Sequence, residues 1–396
     1  MTGISKLYCR TVEPSDVLRY GSHSARLPSH LLQFSADKKP VVVYNVTKRC
    51  NLNCIHCYSR SDEKSSGAEM THDQSKALLD DLAVFGVPVV LFSGGEPLLR
   101  PDTLSLVEYA VSLGMRAVLS TNGTLLNDEA SGRLKRAGLS YAGISLDGLP
   151  ELHDAFRGKA GAFDGAMAGI EACRKAGIKV GLRLTLTQRN FRQVPDIFKL
   201  LQEKAIPRIC FYHLVYAGRG ESLRKDALSK SESRQVVDRI IDETAALHKK
   251  NIPTEVLTVD NHADGPYLYL RLLREDPERA KRVLELLRMN GGNSTGHGIG
   301  CVSWDGSVHA DQFWRHHSFG NVLQKPFSQI WTDGSDSLLS KLKDKKKYVK
   351  GRCATCRFLD ICGGNCRVRA EAVYGDIWAE EPDCYLTDQE ISGEAK

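Results

Sequence analysis

Cysteine is the residue that most clearly points to chemistry in this chain of 396 residues, which holds 12 of them. Three follow the spacing Cys50-x3-Cys54-x2-Cys57, and five more lie between Cys353 and Cys384. Clustered cysteines in a chain of this length, outside a small secreted framework, are typical of metal ligands rather than of disulfides. The two clusters therefore predict metal sites, and the other cysteines are scattered: Cys9, Cys173, Cys210 and Cys301.

The spacing of each cluster allows two kinds of metal site. Three thiolates on a short loop can hold three irons of a [4Fe–4S] cluster and leave the fourth iron open to an amino acid ligand. The alternative at this loop is a zinc site with His56 as the fourth ligand. In the second cluster, Cys353-x2-Cys356-x5-Cys362-x3-Cys366-x17-Cys384, four thiolates suffice either for a closed [4Fe–4S] cluster or for zinc.

Apolar strands alternate with amphipathic helices from residue 40 onward, and this alternation must position the first cluster. Thr71 opens one helix with a capping-box pattern, and Gly86 ends it. Consecutive βα units predict a parallel sheet with helices outside, and six units are too few for a closed eight-stranded barrel. We therefore expect an α/β fold with an open, partial (βα)6 barrel, whose strands are 41–47, 87–92, 115–121, 141–146, 179–186 and 208–215.

Glycines and small polar residues follow successive predicted strands. The second strand ends in Ser93-Gly94-Gly95-Glu96, the third in Ser120-Thr121-Asn122-Gly123 and the fourth in Ser145-Leu146-Asp147-Gly148. Each segment alone is compatible with an ordinary turn. Because barrel enzymes bind ligands at the carboxyl ends of their strands, the recurrence predicts a site for hydroxyl groups and an amino acid head group.

The Cys-x3-Cys-x2-Cys loop, followed one strand later by Gly-Gly-Glu-Pro, resembles the radical S-adenosylmethionine (SAM) superfamily over about residues 40–220. The resemblance implies that Cys50, Cys54 and Cys57 ligate a [4Fe–4S] cluster. It further implies reductive cleavage of SAM to a 5′-deoxyadenosyl radical that abstracts hydrogen. The implied SAM contacts are Gly94, Gly95 and Glu96 at the methionine amine, Arg157 at its carboxylate, Tyr58 near the adenine, and Ser120, Asn122, Ser145 and Asp147 around the ribose.

The second cysteine cluster is similar to the SPASM extension that follows many radical SAM barrels and binds auxiliary iron–sulfur clusters. The extension implies one auxiliary [4Fe–4S] cluster, and so two clusters in the chain. Cys301 and Cys366 remain candidates for a further ligand role, but the cysteine expected a few residues after Gly320 is absent. The implied auxiliary ligands are Cys353, Cys356, Cys362 and Cys384.

Longer strings, among them FSGGEPLLRPD, HLVYAGRG and ICGGNCRVRAEAVYGDIWAEEPDCYL, resemble the tetrapyrrole-modifying branch of the superfamily from about residue 40 to 390. This resemblance implies haem biosynthesis, with an iron tetrapyrrole substrate that loses acetate side chains and a small electron-donor protein as partner. Propionate removal in haem d1 synthesis and peptide modification are the alternatives. Candidate substrate contacts, from a segment rich in aromatic and basic residues, are His309, Arg315 and His316.

Composition and the chain as a whole set outer limits. Hydrophobic residues make up 42% and charged residues 26%, which is typical of a globular protein and excludes a largely disordered one. A net charge of +6 suits an acidic small molecule and does not call for nucleic acid. We see no signal-peptide pattern and no apolar run of about 20 residues, so we expect a cytoplasmic protein without a membrane partner.

Four regions are expected along the chain. They are an irregular N-terminal arm (1–39), the partial barrel (40–220), a helical bridge (221–299) and a loop-rich SPASM-like domain (300–396). The basic run at 341–352 is interpreted as a solvated linker, with a patch for a carboxylate-rich substrate as the alternative. The oligomeric state is not predicted.

Overall fold

The computed structural model describes residues 1–11, 39–65 and 67–393 of the chain. Its centre is a ten-stranded sheet in the order β1-β8-β7-β6-β5-β4-β3-β2-β9-β10. All pairs from β8 through β9 are parallel, and the edge strands β1 and β10 pair antiparallel. The strands are β1 Thr2–Gly3, β2 Val41–Thr47, β3 Val89–Gly94, β4 Arg116–Thr121, β5 Tyr141–Ser145, β6 Lys179–Leu186, β7 Arg208–His213, β8 Glu255–Val259, β9 Ile299–Val302 and β10 Val308–His309.

Helices connect the parallel strands and cover one face of the sheet. The first of the barrel helices begins at the predicted capping box of Thr71 and Gln74 and ends at Gly86, whose φ of 87° suits glycine. No helix in the described part of the chain is long and apolar enough to cross a bilayer. The helices are α1 Ile4–Cys9, α2 His72–Phe85, α3 Thr103–Ser112, α4 Asp128–Arg136, α5 Pro150–Arg157, α6 Ala162–Lys175, α7 Val194–Glu203, α8 Lys230–Lys249, α9 Asp264–Glu275, α10 Pro277–Asn290, α11 Phe327–Thr332, α12 Ser337–Lys343, α13 Leu359–Cys362, α14 Arg367–Tyr374 and α15 Asp388–Ser392.

Side chains alternate between the two faces of each strand, and this alternation separates a core from a cavity. Val42, Tyr44 and Val46 of β2 are fully buried in the main hydrophobic core. Val43, between them, lines a cavity together with residues of β3, β6, β7, β8 and β9. Because strands from both ends of the parallel run line the same cavity, the open sheet curves around it as a partial barrel.

The six predicted strands are confirmed, with ends that differ by at most two residues. The sheet is larger than the six predicted strands, since β8, which the sequence indicates as a possible strand at 254–259, and β9 add a parallel strand on either side of those six. β9 has only four residues and pairs with β2, more than 250 positions away in the chain. A strand this short has no periodic pattern from which it could be predicted. The barrel sheet therefore continues through the expected bridge and into the C-terminal region.

Two helical segments differ from the expectation. Within the supposed irregular arm, residues 2–9 form β1 and α1, and Ile4 and Leu7 are buried. These elements are too short for a periodic pattern, and β1 is held by pairing with β8. The rest of the arm, residues 12–38, lies outside the described residues. In the expected helical bridge, the sequence predicts helices at 230–250 and 276–289, which form α8 and α10, and α9 between them is an unpredicted helix.

Candidate functional site

One cavity, here called the reaction cavity, lies where the parallel strands end. All three cysteines of the first cluster line it, and Cys50 and Cys54 are buried there. Most of the residues for which the sequence implied SAM contact line the same cavity: Tyr58, Gly94, Gly95, Ser120, Asn122, Ser145 and Arg157. Separate segments of sequence therefore converge on one ligand-sized space.

The main chain of the cysteine loop accepts hydrogen bonds from Arg219, which follows the last of the six predicted strands. Arg219 donates to the carbonyl oxygens of Cys54 (2.6 Å) and Ser61 (2.8 Å), and its own N–H donates to the oxygen of Cys57 (2.9 Å). Gly218 has a φ of 60°, and a side chain there would collide with the oxygens of Cys57 and Tyr58. Arg219 is a site residue that was not predicted from the sequence, although it belongs to the segment HLVYAGRG.

Gly94 and Gly95 bring the end of β3 against the start of the cysteine loop. The Gly95 N–H donates to the oxygen of Thr47 (2.7 Å), and the next N–H donates to the oxygen of Arg49 (2.8 Å). A Cβ on Gly94 would collide with the Thr47 oxygen, and one on Gly95 with the Arg49 oxygen. The two glycines are thus required by the approach of two backbones as well as being open to a ligand in the cavity.

Glu96 lies behind the cavity wall and not on it. Its carboxylate is fully buried and accepts hydrogen bonds from Thr121 Oγ1 (2.7 Å), the Asn122 N–H (2.8 Å) and the Leu98 N–H (3.2 Å). Burial raises the pKa of Glu96 to about 7. In this geometry the carboxylate positions the loop after β4, whose Asn122 side chain does line the cavity.

Asp147 is also buried behind the wall, where it orients Arg157. Arg157 Nη2 lies 2.5 Å from Asp147 Oδ2, and Arg157 Nη1 lies 3.5 Å from the sulfur of Cys54. The guanidinium holds the pKa of Asp147 below its usual value despite burial. His56 Nε2 lies 3.3 Å from the same carboxylate, and burial lowers the pKa of His56 to about 4. A cationic, positioned guanidinium therefore stands beside the cysteine loop.

In neither cysteine cluster do the sulfurs lie as close together as the ligands of a single zinc ion. Ligand sulfurs around tetrahedral zinc lie about 3.8 Å apart, because each Zn–S bond is about 2.3 Å long. Among the described residues, the sole group of three or more metal-ligating side chains within 4.8 Å of one another is His316, His317 and Glu371, with no cysteine in it. No three thiols of either cysteine set therefore meet the zinc spacing, and His56 Nε2 lies 3.3 Å from Asp147 Oδ2.

A second cavity brings together the four cysteines for which the SPASM resemblance implied an auxiliary cluster. Cys353, Cys356, Cys362 and Cys384 line it with apolar neighbours that include Phe358, Leu386 and Ile391. Main-chain N–H groups of Glu381 and Phe358 donate to the sulfurs of Cys353 and Cys356, both at 3.4 Å. Four thiols, apolar walls and N–H donors to sulfur together fit a fully cysteine-ligated [4Fe–4S] cluster.

Cys301 and Cys366 do not line this second cavity. Cys301 is buried on β9 and accepts a hydrogen bond from Asn45 Nδ2 (3.3 Å). Cys366 is buried in a small hydrophobic cluster with Ala310 and Trp314. The two cysteines thus lie in separate environments.

The three candidate substrate contacts, His309, Arg315 and His316, do not line the reaction cavity. His309 is buried, with its two ring nitrogens 3.0 Å from Ser303 Oγ and 2.7 Å from the His317 oxygen. Arg315 donates to the Ser59 oxygen (2.7 Å), and His316 Nε2 lies 2.7 Å from Glu371. From the same segment, Gln312 and Phe313 line the cavity instead.

The basic run at 341–352 is neither a free patch nor a plain linker. Lys345 is buried and donates to Asn293 Oδ1 (2.8 Å) and to the Thr295 oxygen (3.0 Å). Burial lowers its pKa to about 7. Four other cations of the run are ion-paired with nearby carboxylates: Lys346 with Asp360, Lys347 with Asp344, Lys350 with Asp376, and Arg352 with Asp388.

Comparison with known proteins agrees with the fold and the cysteine loop. Residues 44–201 match the model of the radical SAM superfamily. The chain belongs to this superfamily, whose members bind a [4Fe–4S] cluster and SAM, and it is a radical SAM enzyme.

Relatives among characterised proteins cover nearly the whole chain. The sequence is 62% identical over 394 residues to the Fe-coproporphyrin III synthase of Methanosarcina barkeri, covering 99% of each chain. It is 40% identical over 356 residues to the pre-heme d1 synthase of Dinoroseobacter shibae, covering 89% of this chain and 87% of the relative. A solved structure of SuiB from Streptococcus suis bound to SAM has the same fold, with a TM-score of 0.69, 17% identity, and coverage of 90% of this chain and 81% of SuiB.

Proposed function

We propose that this protein removes acetate side chains from 12,18-didecarboxysirohaem to give iron-coproporphyrin III in haem biosynthesis. The observation that carries the proposal is the 62% identity, over 99% of both chains, to a protein named Fe-coproporphyrin III synthase. Such identity over the full length includes the barrel, the connecting helices and the C-terminal cysteine site together. The proposal explains why the chain needs an open cysteine loop and a large cavity next to it.

Each part of the reaction cavity has a task in this proposal. When bound, the iron–sulfur cluster and SAM supply the 5′-deoxyadenosyl radical that abstracts hydrogen from the substrate. Cys50, Cys54 and Cys57 hold the cluster and leave one iron for SAM. Arg157, fixed by Asp147, presents a bidentate donor to the methionine carboxylate.

The walls of the cavity support a radical reaction. Tyr58 and Phe313 are in edge contact, with ring centroids 5.5 Å apart, and both line the cavity. Apolar rings at this position exclude water from the space beside the cysteine loop. Ser120, Asn122 and Ser145 offer hydroxyl and amide groups to the ribose in the same space.

We further propose that Cys353, Cys356, Cys362 and Cys384 hold an auxiliary [4Fe–4S] cluster. The support is their convergence on one cavity with apolar walls and N–H donors to two of the sulfurs. A cluster saturated by cysteine has no open iron for substrate, so its task in this proposal is electron transfer. A small electron-donor protein supplies the reducing electrons.

Propionate removal is the second candidate reaction, because the chain is also 40% identical to a pre-heme d1 synthase. The experiment is anaerobic incubation of the purified enzyme with 12,18-didecarboxysirohaem, SAM and a reductant, with product masses measured. Loss of two acetate groups supports the proposal. Loss of propionate carbons supports the second candidate, and an unchanged tetrapyrrole contradicts both.

A further inference from the structure

Arg183 is a cavity arginine to which neither the sequence nor the resemblance assigns a role. It lies on β6, level with Ser145 of β5. It lines both the reaction cavity and a deeper cavity inside the sheet, here called the deep cavity, which also contacts Arg116, Tyr141 and Arg208. The guanidinium thus lies where the two spaces meet.

The hydrogen bonding of Arg183 is incomplete. Its Nη1 donates to Ser120 Oγ at 2.5 Å, whereas its buried Nε has no hydrogen-bond partner. Its guanidinium carbon lies 5.8 Å from the ring centroid of Tyr212. Two carboxylates line these cavities among the described residues, Asp260 and Asp311, and neither is ion-paired with Arg183.

Several buried or half-buried arginines of the described residues are ion-paired, whereas Arg367, which lines neither cavity, donates to carbonyl oxygens. Arg157 pairs with Asp147, Arg208 with Glu255 (3.3 Å) and Arg369 with Glu381 (2.8 Å). Removing a cation from water without a counter-ion is costly, so proteins seldom retain one unless a ligand supplies the anion. An arginine that faces a cavity and is ion-paired with no carboxylate is therefore poised to receive one from a ligand.

The fold makes room for this side chain. Arg183 reaches from β6 across β5 to Ser120 on β4, and it passes over Gly143. A Cβ on Gly143 would lie 2.6 Å from the Arg183 Nε. A glycine at the centre of a buried strand weakens the strand, and here its absent side chain is the space that the guanidinium occupies.

We infer that Arg183 binds a carboxylate of the substrate and thereby fixes the tetrapyrrole in the reaction cavity. The inference rests on the proposed function, since it takes a carboxylate-rich macrocycle as the substrate. SAM carries a single carboxylate, and Arg157 beside Cys54 is already oriented toward that role. The Nε of Arg183 is buried against Gly143, so Nη1 and Nη2 at the end of the guanidinium form the planar, two-pronged donor that a carboxylate prefers.

The test compares Arg183→Gln with Arg116→Gln, which removes the same charge from a residue that lines the deep cavity but not the reaction cavity. Binding of 12,18-didecarboxysirohaem to the anaerobic holoenzyme is titrated without SAM by the absorbance of the tetrapyrrole. We expect R183Q to raise the Kd by about 10- to 100-fold, as loss of charged hydrogen bonds does. SAM affinity, measured separately by equilibrium dialysis, is expected to stay at the wild-type value in both variants.

The outcomes separate the inference from the proposed function. If the wild type does not bind the tetrapyrrole, the proposed function and the inference fail together. If the wild type binds and converts it while R183Q binds it equally well, the inference alone is wrong. Equal losses in R183Q and R116Q would mean a general effect of charge, and a loss of SAM affinity alone would assign Arg183 to SAM. Both results overturn the inference.

If R183Q does not fold, Arg183→Lys provides the same test. It retains the charge but not the planar fork, so we expect a smaller rise in the Kd of the tetrapyrrole. An unchanged Kd in this variant, with R116Q also unchanged, would contradict a bidentate contact.

Discussion

The two cysteine clusters differ in what surrounds their thiols. Cys50, Cys54 and Cys57 face a large cavity that also holds glycines, hydroxyl groups and a positioned arginine. The four C-terminal cysteines instead lie among apolar side chains in a smaller cavity of their own. The first arrangement leaves space for a reacting ligand beside the thiols, whereas the second has space only for a group held by the four thiols themselves.

The charge around the thiols differs in the same way. Arg157 contacts the sulfur of Cys54 and is itself fixed by a buried carboxylate. At the C-terminal cavity, main-chain N–H groups donate to Cys353 and Cys356, and the arginine on the lining, Arg352, is ion-paired with Asp388. A side-chain cation beside the first site can recognise an anionic ligand, whereas N–H groups to sulfur only stabilise a cluster. The neighbours that the fold supplies thus suit the two cysteine sets to different chemistry.

The largest effect is expected from breaking the open site. Cys54→Ala removes one of the three proposed cluster ligands, so 5′-deoxyadenosine formation should fall by about 10³-fold or more. The measurement is chromatography of anaerobic reactions with SAM and a reductant. Cys173→Ala is the matched control, because Cys173 is buried on α6 and lines neither cavity. SAM cleavage that survives in C54A would contradict the cluster assignment.

A different result is expected at the closed site. Cys356→Ala should lower the iron content from about eight to about four atoms per chain and reduce product yield, while some SAM cleavage persists. Iron analysis and product masses measure the two effects. Normal product yield without the second cluster would show that this site is structural and carries no electron.

Arg157→Lys sharpens the comparison by changing the cation beside the open site. Lysine retains the charge but loses the bidentate geometry, so the Kd of SAM should rise by about 10- to 100-fold. The control is Arg189→Lys, whose partner Asp226 lies 2.9 Å away in an exposed pair. Equilibrium dialysis measures both. Equal SAM affinity in R157K and the wild type would leave Arg157 as support for the loop alone.

The smallest effect is expected behind the wall of the open site. Burial raises the pKa of Glu96 from 4.5 to about 7. The stability that the protonated carboxyl contributes is therefore fully present below about pH 4.5, and it is lost as the pH rises through about 7. Glutamine cannot ionise. The amide also loses part of the hydrogen bonding that both carboxylate oxygens accept, and this loss is the same at every pH. We therefore expect the change in the free energy of unfolding caused by Glu96→Gln in the cluster-free protein to be about 1–3 kcal/mol more favourable at pH 8 than at pH 4.5.

Urea unfolding at both pH values measures this difference. Glu232→Gln is a control of opposite sign, because hydrogen bonds from Ser229 lower the pKa of Glu232, whose ionised form is favourable above pH 4.5. That variant should lose stability at pH 8. A change for E96Q that is the same at both pH values would exclude ionisation of Glu96 as its cause.

Much of the barrel was predictable from local sequence. The capping box of Thr71 and Gln74 and the stop at Gly86 act through hydrogen bonds and backbone angles within a few residues. The six central strands were readable for a similar reason, since each apolar run begins shortly after a glycine or a proline. By contrast, β9 pairs with β2 across most of the chain, and four residues carry no recognisable period.

The candidate site divides in the same way. The sequence by itself determined the two cysteine sets, the glycines after β3 and the polar strand ends, because each is a pattern of adjacent residues. Only the tertiary structure decided that Asp147 orients Arg157, that Arg219 braces the cysteine loop, and that Gln312 and Phe313 line the cavity while His309 does not. These contacts join distant segments, and their partners are chosen by how the curved sheet and the C-terminal region pack together.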